Sequence, residues 1–329
     1  MYRYYSGKKV LVTGGLGFIG SNLAIQLVNL GAEVTVVDVL WTEHGGNLFN
    51  IEPVKKDVQV NVCDVRDEYA IKALVKGKDF IFHLAGQCCH VLGQSNPYPD
   101  IDINIHGTAI VMEAIKNFAS EAVTVYTSTR GVYGSVKELP VSEEVPTTNP
   151  KGLYELSNLT AEKLVKFYGD VHGLKIVNLR LSNIYGERSQ MMHSKFGVVN
   201  WFIKLAMMDE TITVFGDGKI LRDFLYIEDC VKAILQTGAS GNAYGETFNV
   251  GQSQPVTILE LVNSILKIVK SGKIKFTSFT KERAVQEPGD FYPDINKIKQ
   301  YVGWQPLTSL EEGLRKTVEY YKKYQKMYW

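Results

Sequence analysis

The feature that most constrains this chain is a glycine-dense turn close to its beginning, Thr13-Gly14-Gly15-Leu16-Gly17-Phe18-Ile19-Gly20-Ser21-Asn22. It follows the apolar run Lys9-Val10-Leu11-Val12 and precedes Ile19, Leu23, Leu27 and Leu30, which recur at helical spacing until Gly31 stops the turn. Gly15, Gly17 and Gly20 satisfy GxGxxG, and Gly14, Gly17 and Gly20 satisfy GxxGxxG. Either spacing lets backbone N–H groups and the start of a helix approach a pyrophosphate. A second β-branched run, Glu33 to Val37, ends at Asp38, 18 residues after Gly20. A carboxylate there accepts both hydroxyls of an adenosine ribose and repels a 2′-phosphate, and no Arg or Lys follows in Val39-Leu40-Trp41. The pattern predicts a dinucleotide site that prefers NAD to NADP, with Gly14, Gly17, Phe18, Ile19, Gly20 and Asp38 in contact with it.

Further strand-like runs at 58–62, 79–82, 122–126 and 175–179 alternate with helix-like segments at 69–75, 104–118 and 153–172. Such alternation implies parallel strands with helices on both faces. The expected fold is α/β, a Rossmann-type doubly wound parallel sheet with a smaller mixed α/β C-terminal lobe. Residues 1–180 form the NAD-binding domain in this reading and 223–250 return to it. Residues 181–222 and 251–329 form the substrate-binding lobe, with helices at 196–208, 257–270 and 309–326. Asp64 ends the third strand, where it can meet the adenine amino group. The small residues of His83-Leu84-Ala85-Gly86-Gln87 end the fourth. Asp64, Val65, Leu84, Ala85 and Gln87 are therefore further cofactor candidates.

Composition excludes several classes. Lys and Arg number 36 against 35 Asp and Glu, a balance unsuited to a protein that binds nucleic acid by neutralising phosphates. No run approaches the roughly 20 apolar residues of a membrane span. Cys63, Cys88, Cys89 and Cys230 are too irregularly spaced for a disulfide framework, so a reduced, cytoplasmic protein is expected. His83, Cys88, Cys89 and His90 lack a second CxxC pair or an HxxxH helix, and packing residues or cleft-wall thiols are expected there, with no metal. His193 sits in a loop that could overhang a ligand. The basic, aromatic tail from Tyr320 to Trp329 reads as a terminal amphipathic helix with a solvated lysine face.

Later motifs carry a resemblance. Tyr126-Thr127-Ser128-Thr129 ends a strand, Tyr154 is followed four residues later by Asn158, and Leu179-Arg180-Leu181-Ser182-Asn183-Ile184-Tyr185-Gly186 leads out of the sheet. Phe215-Gly216-Asp217-Gly218, Arg222-Asp223-Phe224 and Glu228-Asp229 follow in order. Together with TGGLGFIGSNL and the Cys63-to-Asp67 segment, this set resembles the extended short-chain dehydrogenases. The likeness is to the NAD-dependent nucleotide-sugar epimerase/dehydratase family, over nearly the whole chain. The resemblance implies that Tyr154 is the acid/base for a sugar hydroxyl and that Thr129 bridges the two oxygens. It further implies a nucleotide-sugar substrate and a homodimer formed through the helices at 104–118 and 153–172. Gln87, Thr129, Asn183, Arg222 and Arg283 are the substrate-binding candidates, Arg222 and Arg283 for the diphosphate.

Two departures bear on the reaction. Asn158 stands where the family has a lysine that holds the nicotinamide ribose and lowers the phenol pKa. Asparagine can still bond a ribose but carries no charge. Stronger activation by the nicotinamide ring, help from another base, low activity and a catalytically impaired NAD-binding relative all stay open. Arg130-Gly131 stands where relatives that expel water carry an Asp-Glu pair and relatives that decarboxylate carry a glutamate. That leaves epimerisation as the expected activity, with dehydration or decarboxylation as the alternative. HLAGQ followed by Asn104 also looks like the nucleotide-sugar 2-epimerases, so the inverted carbon is open.

Overall fold

Strands buried on both faces need uninterrupted apolar runs, and β1 (Lys9–Thr13) and β4 (Phe80–His83) are of that kind. The structure, a computed structural model, describes residues 4–90, 92–280, 284 and 287–329. Between and beyond those two strands come α1 (Phe18–Asn29), β2 (Glu33–Asp38), β3 (Val58–Val62), α2 (Glu68–Val75), the single turn α3 (Leu92–Ser95) and α4 (Thr108–Phe118). Then follow β5 (Val123–Thr129), α5 (Leu153–His172) and β6 (Ile176–Leu181). The rest comprises β7 (Asn183–Tyr185), α6 (Val198–Met207), β8 (Thr211–Phe215), β9 (Leu221–Arg222), β10 (Phe224–Tyr226), α7 (Ile227–Gly238), β11 (Thr247–Val250), β12 (Val256–Thr257), α8 (Ile258–Val269) and β13 (Lys273–Thr277). Helices Asn296–Val302 and Leu310–Tyr324 follow.

Seven parallel strands make one sheet in the order β11-β6-β5-β4-β1-β2-β3. The fold is thus the expected doubly wound Rossmann type, and β11 extends it beyond β6. The direction of winding reverses between β1 and β4, which opens a crevice at the carboxyl ends of the strands. Register aligns that edge. Thr13 lies opposite Val37 and His83, so Gly14, Asp38 and Leu84 emerge at one level. Thr129 at the end of β5 lies opposite Leu181. The small pairs β7–β10, β9–β12 and β8–β13 lie outside that sheet, and residues of β7, β8, β9 and β10 line the cleft at its edge.

Two elements differ from the expectation. The helix anticipated from 104 begins at Asp100, and its first stretch, Asp100–Gly107, is π-helical. Buried polar side chains there, Asp100 and Asn104, interrupt the apolar periodicity that would have marked it. The tail is not merely a solvated helix. Tyr321 and Tyr328 are buried, and the Tyr328 hydroxyl donates to Asn50 Oδ1 at 2.7 Å. Asn50 in turn donates to the Leu16 carbonyl at 2.8 Å, so the tail braces the glycine turn from behind.

Candidate active site

The turn after β1 is built around backbone. Gly14 has φ +68°, and a Cβ on Gly20 would stand 2.1 Å from the Gly14 carbonyl oxygen, so only glycine lets α1 start this close to the strand. Gly17 caps α1 without any side-chain hydrogen bond, and the first turn carries no acid. The N–H groups there are left for an anionic ligand. Asp38 accepts from Leu16 N at 3.0 Å and Leu40 N at 2.8 Å. Burial raises its carboxyl pKa while these N–H groups pull it back. This cradle fits the phosphates and ribose of NAD, with Phe18, Ile19, Val65, Leu84 and Ala85 along the same wall. The cleft holds about 1210 Å³, more than the upper ~1,000 Å³ typical for one drug-sized ligand, and so has room for a dinucleotide beside a second molecule.

Some candidates are already engaged. Asp64 is held by Arg66 through Nε at 2.9 Å and Nη2 at 2.6 Å, which keeps its carboxyl below the usual range. Gln87 is buried, and its amide donates to Cys89 O at 3.1 Å and Asp100 Oδ2 at 3.0 Å. Asn104 clasps that backbone, accepting from Gln87 N at 2.7 Å and donating to Gln87 O at 3.1 Å. Arg222 forms an ion pair with Glu287 and donates to Gly289 O at 2.6 Å. Asn183 donates to Asp223 O at 2.8 Å. Arg283 lies outside the described residues.

The helix α5 brings Tyr154 and Asn158 to the cleft one turn apart. The Tyr154 and Thr129 hydroxyls meet at the cleft, where Thr129 also accepts from Gly131 N at 3.1 Å. Burial, and then Cys88, push the phenol pKa well above its ordinary value, against the pull of Thr129 and Arg130. Asn158 does not stand free: its amide donates to the Tyr154 carbonyl at 2.8 Å. One of the amide's two donors is thus taken by its own helix, and the second N–H and the amide oxygen are left for a ribose. The helix is fastened to the sheet by a buried pair, Glu162 with Arg180 at 2.6 Å, and Arg180 also donates to the Tyr133 hydroxyl at 2.8 Å.

Three neighbours of Tyr154 escaped the sequence reading as site residues. His90 packs its ring 4.3 Å from that of Tyr154 and bonds Glu155 Oε1 at 2.7 Å. Burial opposes the Glu155 charge, but His90, the local backbone and Arg130 together hold the carboxyl below its usual range. Arg130, read only as a missing carboxylate, lines the cleft beside Thr129. Burial and then Arg222 bring its pKa down to about 10, so it remains a cation at neutral pH. Adjacency to Thr129 and Tyr154 was the available signal for Arg130 and Glu155; none existed for His90. His83 is held between Thr13 at 2.8 Å and Thr108 at 3.0 Å, and burial lowers its pKa to about 4. It is a neutral brace for the strand ends. Cys88 is exposed and lines the cleft, and the protein packed around it pushes its thiol up to about 12. His193 bonds the Glu43 carbonyl at 2.8 Å. Among the described residues no three His, Cys, Asp or Glu side chains gather as a metal site, and no helix is long and apolar enough to cross a membrane.

A Rossmann sheet with this cradle and a Thr–Tyr hydroxyl pair at its edge defines a nucleotide-dependent enzyme of the extended short-chain dehydrogenase class. The chain belongs to the NAD dependent epimerase/dehydratase family, whose model matches residues 10–251, and NAD is its cofactor. It is 32% identical over 319 residues to a putative UDP-glucose 4-epimerase of Methanocaldococcus jannaschii, covering 95% of this chain and 98% of that one. It is also 32% identical to UDP-glucuronic acid decarboxylase 1 of Xenopus tropicalis, over 96% of this chain and 72% of that protein. The crystal structure of a UDP-glucose 4-epimerase from Thermotoga maritima with UDP-glucose superposes with a TM-score of 0.87 at 31% identity, covering 96% of this chain and 99% of that chain.

Proposed function

We propose that this enzyme epimerises a nucleotide sugar, a UDP-sugar by analogy with its relatives. The observation that carries the reading is the Thr129–Tyr154 hydroxyl pair with Arg130, a cation, in the next position. Elimination of water or loss of carbon dioxide calls for a carboxyl acid or base at that point, and an arginine supplies neither. Thr129 orients the sugar hydroxyl and Tyr154 removes its proton, then returns it after the hydride comes back to the opposite face. NAD supplies the hydride acceptor and donor when bound. Arg130 lowers the cost of the phenolate, and α5, fastened through Glu162 and Arg180, keeps Tyr154 at the end of β5. Gly14, Gly17 and Gly20 admit the cofactor phosphates and Asp38 its ribose. A homodimer through α4 and α5 is part of the proposal, supported by the exposed apolar side chains Leu156, Phe167 and Val171 on α5. Incubation with a panel of UDP-sugars, read by chromatography and mass spectrometry, tests the activity. One pair of epimers should interconvert at constant mass. Products lighter by water or carbon dioxide would replace epimerisation with the alternative activities.

A further inference from the structure

Among the described residues, Arg130 is an arginine without a paired anion. Among the described residues its one hydrogen bond is a long contact, Nε to Asn183 Oδ1 at 3.4 Å, and it forms no ion pair. One face of the guanidinium lies 5.2 Å from the Phe291 ring centroid. Its terminal nitrogens make no hydrogen bond among the described residues, and Arg130 lines the cleft. Among the described residues, the carboxylates around it are engaged elsewhere. Glu155 is bonded to His90 at 2.7 Å, and Glu287 is paired with Arg222. Asp223 accepts from Gln252 N at 3.0 Å and Ser253 N at 2.6 Å. A second cation, Arg222, adds repulsion. A half-buried guanidinium in this position is complementary to a planar carboxylate, which it can take in bidentate fashion.

We propose that Arg130 receives a carboxylate carried by the sugar, so that the substrate is a nucleotide-linked uronic acid inverted at C4. The proposal rests on the epimerase reading above and narrows it. In a hexopyranose the carbon bearing the exocyclic group is the direct neighbour of C4, while the anomeric carbon with its diphosphate lies across the ring. With the C4 hydroxyl on Thr129 and Tyr154, the residue next in sequence faces the exocyclic group. In a neutral hexose that group is a hydroxymethyl, which leaves the guanidinium unpaired. In a uronic acid it is the carboxylate the guanidinium lacks.

Equilibrium binding separates the possibilities without turnover. UDP, UDP-glucose and UDP-glucuronate are titrated into the NAD-loaded Tyr154→Phe protein and into the same protein carrying Arg130→Gln or Arg130→Lys. UDP-glucuronate should bind about tenfold or more tighter than UDP-glucose, the range of a hydrogen-bonded charge. Arg130→Gln should erase that preference without changing UDP affinity, and Arg130→Lys should keep part of it. Equal binding of UDP-glucose and UDP-glucuronate to the Arg130 protein overturns the inference and leaves the epimerase reading standing. A loss of UDP affinity in Arg130→Gln also overturns it, because the diphosphate would then be the anion. Failure of all three to bind overturns both readings. Retained NAD binding and an unchanged circular dichroism spectrum certify that the variants are folded.

Discussion

Replacing Asn158 with lysine asks whether the phenol of Tyr154 is the base. The two residues share a face of α5 one turn apart, and both line the cleft. A lysine ammonium about 6 Å from the phenolate, at an effective dielectric near 20, contributes roughly 3 kcal/mol, or about two pKa units. The substitution also removes the amide bond to the Tyr154 carbonyl, and Arg130 already supplies some positive potential, so about one to two units is the expected net effect. The sign follows from the charge: a cation favours phenolate, lowers the phenol pKa and moves the ascending limb of the pH–rate profile to lower pH. In the wild type, where burial holds the phenol well above its ordinary value, kcat/KM should still be climbing through neutral and mildly alkaline pH. In Asn158→Lys the limb should shift down, and the rate near neutrality should rise about 10- to 100-fold. The assay is kcat/KM against pH for wild type and Asn158→Lys, with Tyr154→Phe as the inactive, NAD-binding control. A limb that does not move, or a Tyr154→Phe protein that keeps most of its activity, would refute Tyr154 as the base.

Asp38→Ser should narrow the preference for NAD over NADP, because the 2′-phosphate no longer meets a carboxylate; fluorescence titration of both cofactors reads it, and equal wild-type affinities would contradict the assignment. Glu162→Gln should cost about 3–5 kcal/mol of stability in urea unfolding, since it leaves the Arg180 charge buried beside an uncharged partner. A loss below 1 kcal/mol would mean that Tyr133 alone keeps Arg180 satisfied.

What could be read from the chain was whatever depends on local pattern. The glycine spacing, the β-branched runs and Asp38 specify a turn, strands and a carboxylate within forty residues, and each relation is short-range. The order of the later motifs carried the family. What resisted reading is tertiary. The π-helical stretch Asp100–Gly107 exists to turn Asn104 and Asp100 inward onto Gln87, and buried polar residues have no apolar signature. Asn158 was legible as an uncharged residue but not as one whose amide donates to its own helix. The contact of His90 with Tyr154 and Glu155 joins segments 64 and 65 positions apart, and nothing in either segment announces the other. The tail's hold on the glycine turn, through Tyr328 and Asn50 across 278 positions, is invisible for the same reason.

The account's central claim is that the sugar is oxidised and reduced at one carbon within a single visit to the site. The most direct measurement follows a UDP-sugar deuterated at C4 through the reaction with the NAD-loaded enzyme, by NMR and mass spectrometry. The account predicts that the label stays on C4 with inverted configuration, that the mass does not change and that no NADH accumulates. Loss of the label, read as a product about one mass unit lighter with hydrogen at C4, or a product lighter by water or carbon dioxide, would contradict it.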